Sequence, residues 1–448
     1  MTRWRGGIGV ALGLALWGCT PGSVDEAPQP PAVPPALASA SNPAATAQPT
    51  ASAAPASPSI LEACDSSTAY QCAAGAAWLY RTGAFERAAK LFRLACDAGS
   101  GTACRRLASM MGESLGMPRS PPKAFALVTR GCELGDGLAC VGAAESYEDG
   151  WLVPPDAKRA VEARARAAQL LDSQCSGGSA VACSELGNAL IKGQGAPKSE
   201  ARGKLMLERA AQGFTDDCER GDGDACLELA RARIDGKTSP AVAGELFEKA
   251  CLRGAATGCT EAVRFYFESG IVAKDEARSK RLAEVGVGLL GKRCDLGAWQ
   301  DCDRAAQMLI KVLGDPGRAR GILRAACERD VAETCVGATV GEPDRAVVSA
   351  LDKRGFKLFE AACGKDDAFA CGELGGHYLE GIGVAKDPAK GTAALLRSCT
   401  LGYAMGCFQA GEVYRKGTSG ARKDPVRAKE MYAKGCALGF VMSCGQAP

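Results

Sequence analysis

The chain has 448 residues, 23% of them charged, 47% hydrophobic and only 6% aromatic. Lys and Arg number 54 against 51 acids, and a net charge of +3 argues against the basic stripe of a nucleic-acid binder. The one histidine, His377, excludes a site built on two imidazoles, and the 23 cysteines carry most of the information.

Arg3 and Arg5 precede an apolar run over residues 8–17. That run is too short for about 30 Å of hydrocarbon, so it reads as an export signal rather than a membrane span. It ends in Leu16-Trp17-Gly18-Cys19, which resembles the lipobox of bacterial lipoproteins. The resemblance implies removal of residues 1–18, lipidation of Cys19 and a lipid anchor in the bacterial cell envelope. Thr20, in place of Asp, points to the outer membrane. The alternative is an ordinary signal peptide in which Cys19 is incidental. Residues 20–60 hold ten of the 22 prolines among Ala, Ser and Thr, and no Lys or Arg occurs between Arg5 and Arg81. Such a stretch cannot bury enough apolar surface to offset its ordering entropy. Residues 19–60 therefore read as a disordered tether, on the order of 100 Å long at full extension.

Every cysteine after Cys19 belongs to a pair eight positions apart. The pairs are Cys64 with Cys72, Cys96 with Cys104, Cys132 with Cys140, Cys175 with Cys183, Cys218 with Cys226, and Cys251 with Cys259. They continue as Cys294 with Cys302, Cys327 with Cys335, Cys363 with Cys371, Cys399 with Cys407, and Cys436 with Cys444. Metal sites want two-to-four-residue spacings and histidines, which are absent, so no metal is expected. An exported chain meets oxidising conditions, and disulfides are the natural product. Glycine stands three residues after the first cysteine in eight pairs, as at Gly99, Gly135 and Gly402, with Asp330, Asp366 and Ser67 in the others. A helix ending at its cysteine needs a left-handed residue just beyond, which Gly supplies and Asp approximates. Each bridge is thus expected to pin a corner between two helices. A nine-residue ring contributes roughly 2.5 kcal/mol through loop-closure entropy.

Successive pairs lie 32 to 43 residues apart, the range of helical solenoid repeats. Sixteen residues after most second cysteines comes a helix start: Ser120-Pro121, Asp156, Ser199, Asp275 or Asp387-Pro388, with Asp424-Pro425 at seventeen. Ser or Asp caps the helix and Pro suits its first position. From Ser120, Ser239, Asp315, Asp387 and Asp424 the next cysteine lies 12 residues on; from Asp156, Ser199 and Asp275 it lies 19 on. Seven extra residues are two turns, which returns the cysteine to nearly the same face. The three 43-residue repeats should therefore lengthen their second helix. Ten helix pairs fit between the eleven pins, with no clear cap between Cys335 and Cys363.

The run from Gly372 through Gly376-His377-Tyr378-Leu379-Glu380-Gly381-Ile382-Gly383 to Lys386-Asp387 resembles the SEL-one-like repeat, a relative of the tetratricopeptide repeat. The pattern recurs in Glu412-Val413-Tyr414-Arg415-Lys416-Gly417 and in Ser146-Tyr147-Glu148-Asp149-Gly150. With its paired cysteines the chain is similar to the Hcp-type cysteine-rich exported proteins of that family. The resemblance covers residues 61–448 and implies an all-α, right-handed αα-superhelix with a concave groove. It implies a scaffold for an envelope protein or peptide, without cofactor or nucleic acid.

The Hcp-type resemblance also implies an alternative, weak β-lactam hydrolysis or penicillin binding; a passive envelope spacer is a third reading. Ser120-Pro121-Pro122-Lys123 matches the S-x-x-K of serine β-lactamases, but S-D-N and K-T-G are absent and Ser120 aligns with the caps Asp387 and Asp424. His377 reads as a packed or partly exposed residue rather than a base. Tyr147, Tyr378 and Tyr414 lie seven residues after pinned cysteines, with Trp78 and Tyr80 nearby in the first repeat; their recurrence reads as packing rather than ligand stacking. The charges over residues 159–166 read as a solvated helix face. No catalytic residue is assigned.

Overall fold

A computed structural model describes residues 68–81, 83–150, 153–235, 240–417 and 423–446. The export signal, Cys19, the Pro-rich stretch, Cys64 and Ser239 lie outside the described residues, as does the side chain of Trp78. Among the described residues all regular structure is helical. The first five helix pairs are α1 (Ala69–Arg81) with α2 (Phe85–Asp97), α3 (Gly101–Gly112) with α4 (Pro121–Glu133), α5 (Gly137–Asp149) with α6 (Ala157–Ser176), α7 (Ala180–Lys192) with α8 (Glu200–Glu219), and α9 (Gly223–Asp235) with α10 (Pro240–Leu252). The next five are α11 (Ala256–Phe267) with α12 (Glu276–Asp295), α13 (Trp299–Met308) with α14 (Pro316–Glu328), α15 (Ala332–Ala338) with α16 (Arg345–Gly364), α17 (Ala368–Glu380) with α18 (Pro388–Thr400), and α19 (Ala404–Lys416) with α20 (Pro425–Ala437). The short α21 (Val441–Cys444) follows. Each helix packs on the next along the chain.

The corners form as the residue pattern dictates. Gly99, Gly135, Gly178, Gly221, Gly254, Gly297, Gly402 and Gly439 have φ between 87° and 103°, and Asp330 and Asp366 take φ of 68° and 64°. That left-handed step lets the chain close back on the finished helix, as where the Ser100 N–H donates to Ala95 O at 2.9 Å. The next helix is capped at once: Asp136 accepts from Ala139 N at 2.7 Å and Asp367 from Ala370 N at 2.8 Å.

Disulfides cross these corners where the spacing places them. Cys96 is bonded to Cys104, Cys132 to Cys140, Cys175 to Cys183, Cys218 to Cys226, and Cys251 to Cys259. Cys294 is bonded to Cys302, Cys327 to Cys335, Cys363 to Cys371, Cys399 to Cys407, and Cys436 to Cys444. Their Cα atoms lie 4.3–4.7 Å apart. Cys72 is disulfide-bonded as well, and is fully buried in the core of α1–α3; its expected partner Cys64 falls outside the described residues. The bridges from Cys132 to Cys335 lie in a core that runs without a break from Cys132 to Leu351.

The second helices start where their caps stand. Asp156, Asp275, Asp315, Asp387 and Asp424 each accept from the backbone N–H three residues on, at 2.9–3.0 Å. Helices α6, α8 and α12 each have 20 residues against 13 for α4, α14, α18 and α20, the two extra turns the spacing demands. The repeat between Cys335 and Cys363 does have a cap, Asp344, which accepts from Ala346 N at 2.7 Å. Helix α15 has only 7 residues and α16 has 20, so Asp344 stands earlier than the caps elsewhere. One expectation is corrected. Ser120 sits at the N-cap of α4, but its side chain accepts no bond from the helix; only its carbonyl takes the Ala124 N–H, at 2.9 Å. The flanking prolines Pro121 and Pro122 already lack two of the N–H groups a cap would satisfy.

In three repeats the inner loop rests on the preceding second helix through a glycine, Gly116, Gly195 or Gly383. Gly383, at φ 70°, approaches α16 so closely that a Cβ would lie 2.1 Å from Asp352 O, and Gly195 repeats this contact against Arg164 of α6. No other residue offers both the left-handed backbone and the missing side chain.

Candidate functional site

The recurrent tyrosines belong to the repeat's architecture. The carbonyls of Tyr147, Tyr266, Tyr378 and Tyr414 accept the N–H of the caps Asp156, Asp275, Asp387 and Asp424 at 2.9–3.0 Å. The residue three beyond each cap then lays its cation over the same ring: Arg159 at 5.8 Å, Arg278 at 4.4 Å, Lys390 at 5.6 Å and Arg427 at 5.7 Å. Tyr147 also meets Phe125 edge-on at 5.2 Å, and Tyr378 meets Phe356 likewise. Tyr80 packs on Phe85 at 5.7 Å. The cations tie each ring to the second helix of its own pair, while Phe125 and Phe356 tie Tyr147 and Tyr378 to the pair before, so the rings serve packing.

The accessible face of the first helices falls two and five residues after the second cysteine. There lie Arg106 and Ser109 on α3, Glu145 on α5, Arg231 on α9, Arg264 on α11 and Gln307 on α13, all exposed. This lane is nonetheless confined. Burial lowers the Arg106 pKa although Asp136 and Asp224 oppose it, and burial raises those of Glu145 and Glu185. Glu185 is raised further by the like charges of Glu145 and Glu228. Arg106, Glu145 and Glu185 are therefore charged groups only partly hydrated, whereas Arg231 and Arg264 are paired within the lane with Glu228 and Glu261.

A second feature comes from contacts between repeats far apart in sequence. The corner residue Leu296 lies against Gly83, and Ala298 joins the core of α1–α3. Pro122 meets Gly402. Between these contacts the α3–α4 loop docks on α15 and α17. The Arg119 N–H donates to Asp367 Oδ2 at 2.7 Å, and the Ala368 N–H donates to Arg119 O at 3.0 Å. The Arg119 guanidinium donates to Glu333 Oε1 at 2.8 Å, with only 11% and 13% of the two side chains exposed. It lies 4.2 Å over the Phe369 ring and 5.5 Å over Trp299. Ser114 holds φ 59°, a strained value outside glycine, while its hydroxyl donates to Asp367 Oδ2 at 3.1 Å.

The docking is incomplete. Arg119 Nε and Trp299 Nε1 are buried donors without a partner, each costing roughly 1–3 kcal/mol. Glu373, one turn into α17, has its carboxyl pushed up to about 7 by burial first and Glu333 second, against the pull of Arg119. Burial and the Glu373 charge also raise the Tyr403 phenol. Beside the docked loop lies a cavity of about 880 Å³ bounded by Phe85, Met117, Trp299, Phe359 and Phe369.

The sequence-predicted chemistry falls elsewhere. Ser120 is half-buried at the start of α4 and Lys123 is exposed on its first turn. His377 is buried at 3% exposure, its Nδ1 2.9 Å from Ile382 O and its ring 5.4 Å from Phe359, and burial lowers its pKa. Among the described residues no group of His, Cys, Asp or Glu is arranged to hold a metal ion, and no helix is long and apolar enough to cross a membrane. Arg119, Trp299, Glu333, Asp367 and Glu373 were not singled out by sequence reasoning. A basic residue before the cap, as at Lys386 and Lys423, and an acid at the corner, as at Asp136, recur elsewhere. Nothing local marks Arg119 or Asp367 as a long-range pair.

Fold and corners together define a tandem helix-pair repeat protein with disulfide-bonded corners. The family model of the Sel1 repeat matches residues 70–100, 101–136, 137–162, 180–213, 223–254, 368–403 and 404–440. The chain belongs to the Sel1 repeat family, whose members are generally protein-interaction scaffolds. The unmatched stretch 255–367 holds the long α12, the π-helical turn Leu309–Leu313 and the unequal pair α15 and α16.

No curated protein matches the chain. Among solved structures it is similar to a protective antigen of uropathogenic Escherichia coli with an SLR fold, at 17% identity over 86% of this chain and 92% of that one, TM-score 0.27. It is similar to a Sel1 repeat protein from Oxalobacter formigenes at 18% identity over 79% and 87%, TM-score 0.31. An immunity protein of Pseudomonas aeruginosa aligns at 20% identity over 49% and 82%, TM-score 0.30. The family match, not these neighbours, carries the assignment.

Proposed function

We propose that the chain is an exported scaffold, anchored by a lipid on Cys19 in the bacterial outer membrane, that binds an envelope protein or peptide along the accessible lane of its first helices. The observation that supports this reading is the lane itself: polar and charged side chains at a regular register from α3 to α13, with Arg106, Glu145 and Glu185 only partly hydrated, on helix pairs whose described corners are disulfide-pinned. Such a face offers length and charge pattern, which suits a polypeptide better than a compact small molecule. Pinned corners hold the lane in one geometry, so little ordering entropy is lost on binding. The Pro-rich stretch would let the repeats work away from the membrane.

Crosslinking in intact cells, with captured partners identified by mass spectrometry under non-reducing conditions, tests the scaffold. One or two reproducible envelope proteins, lost when Glu145 and Arg231 are reversed in charge, support it. Capture unchanged by those reversals contradicts it. Labelling with a clickable fatty acid tests the anchor: incorporation that disappears in Cys19→Ala supports it, and incorporation that persists or never occurs contradicts it.

A further inference from the structure

The docked loop has the features of a bound peptide. Both backbone polar groups of Arg119 are hydrogen-bonded to the first turn of α17, one through Asp367 and one through the Ala368 N–H. Its side chain enters a slot whose floor is Phe369, whose wall is Trp299 and whose counter-charge is Glu333. A planar guanidinium fits this combination of carboxylate and ring faces, and an ammonium fits it less well. The occupant is strained and imperfectly paired: Ser114 sits at positive φ, and Arg119 Nε and Trp299 Nε1 lack acceptors. The adjoining cavity of about 880 Å³ leaves room beside residues 117–118 for a longer segment than the loop supplies.

We infer that the surface formed by Trp299, Glu333, Asp367 and Phe369 is a reading site for arginine in an extended peptide, closed in cis by the chain's own Arg119 and opened to a partner's arginine-bearing segment. The inference rests on the scaffold reading and deepens it by naming the partner's chemistry and the gate. Charge complementarity favours this occupant, since Glu333 faces the slot and Glu373 stands behind it without a hydrogen-bonded cation of its own. The strain in the closed loop lowers the cost of displacing it.

The test uses the full oxidised chain and a fluorescein-labelled peptide Met-Pro-Arg-Ser-Pro, which copies residues 117–121, with its Arg-to-Ala counterpart as control. Arg119→Ala empties the slot. It is expected to bind the arginine peptide at least tenfold more tightly than wild type does, and the control at least tenfold more weakly than the arginine peptide. Adding Glu333→Gln should remove at least tenfold of the gained affinity. An Arg119→Ala protein of unchanged helical signal that binds the arginine peptide no better than wild type overturns the inference, as does equal binding of the control. If Arg119→Ala loses its helical signal, Arg119→Lys takes its place: a threefold or larger gain upholds the inference and no gain overturns it. Arg119→Ala chains that dimerise and exclude the peptide would assign the slot to a second copy and overturn the partner reading. Partner capture along the lane is read separately, so a failed peptide measurement leaves the scaffold standing.

Discussion

Asp367 should be worth far more than an ordinary helix cap. Its Oδ1 caps α17 through Ala370 N at 2.8 Å, while its Oδ2 takes the Arg119 N–H at 2.7 Å and the Ser114 hydroxyl at 3.1 Å, all at 4% exposure. Asp387 at the head of α18 supplies an internal comparison, because it caps through Lys390 N at 3.0 Å with no long-range partner, adding only an exposed pair to Lys390 Nζ at 3.6 Å. Replacing either with Ala removes one cap bond, about 1 kcal/mol. Asp367→Ala also removes two hydrogen bonds to a buried charge, each roughly 1.5–3 kcal/mol, though sharing one oxygen makes them less than additive. The expected losses are about 3–5 kcal/mol for Asp367→Ala and about 1 kcal/mol for Asp387→Ala. Guanidinium unfolding of the oxidised chain, followed by tryptophan fluorescence, measures both. Because long repeat arrays depart from two-state behaviour, the comparison is of midpoints at matched slope. Equal losses for the two variants would refute the claim that docking of the α3–α4 loop stabilises the fold.

Three further outcomes follow from the same geometry. Burial and Glu333 hold the Glu373 carboxyl at about 7, while an unfolded carboxyl titrates near ~4.3. Between those values the folded chain retains a proton that the unfolded chain has lost, so stability falls as pH rises, by up to about 4 kcal/mol. Glu373→Gln should match wild type at pH 4 and exceed it at pH 8 in urea unfolding; identical pH profiles contradict this. His377, its pKa lowered by burial, acts oppositely below about 6.5 in both proteins and cancels in the comparison. Replacing the buried pair Cys251 and Cys259 with Ala should cost about 2–4 kcal/mol in non-reducing unfolding, and an unmoved midpoint would deny the bridge a stabilising part. Gly383→Ala, forced into Asp352 O, should cost at least about 2 kcal/mol, whereas Gly376→Ala, in open space within α17, should gain about 0.5–1 kcal/mol; thermal melts showing the same sign for both contradict the close-approach argument.

What the sequence made legible was whatever each repeat decides for itself. The left-handed step at Gly99 or Asp330, the bridge from Cys96 to Cys104, the cap at Asp156 and the two extra turns of α6, α8 and α12 are local consequences of residue type and spacing. Asp344 escaped because α15 stops after 7 residues, moving the cap outside the usual interval. It still lies 19 residues before Cys363, the interval shared by the other long second helices. The Arg119 slot could not be read at all. It depends on where the chain has travelled after 248 residues of accumulated rotation, and neither Arg119 nor Asp367 differs in kind from its counterparts in other repeats. The tyrosines lay between these cases. Their period points to packing, and the structure adds that a cation three residues past the cap completes the stack at Tyr147, Tyr266, Tyr378 and Tyr414.

The central claim, that the lane of first-helix residues is the binding face, is tested most directly by photocrosslinking in intact cells. A photoreactive residue is placed in turn at Arg231 and Arg264 on the lane, and at Val161 and Leu205 on the exposed faces of α6 and α8, where 68% and 52% of each residue is accessible. The same covalent adduct is expected from both lane positions and none from the two outer ones. Adducts formed equally at all four, or only at Val161 and Leu205, would contradict it.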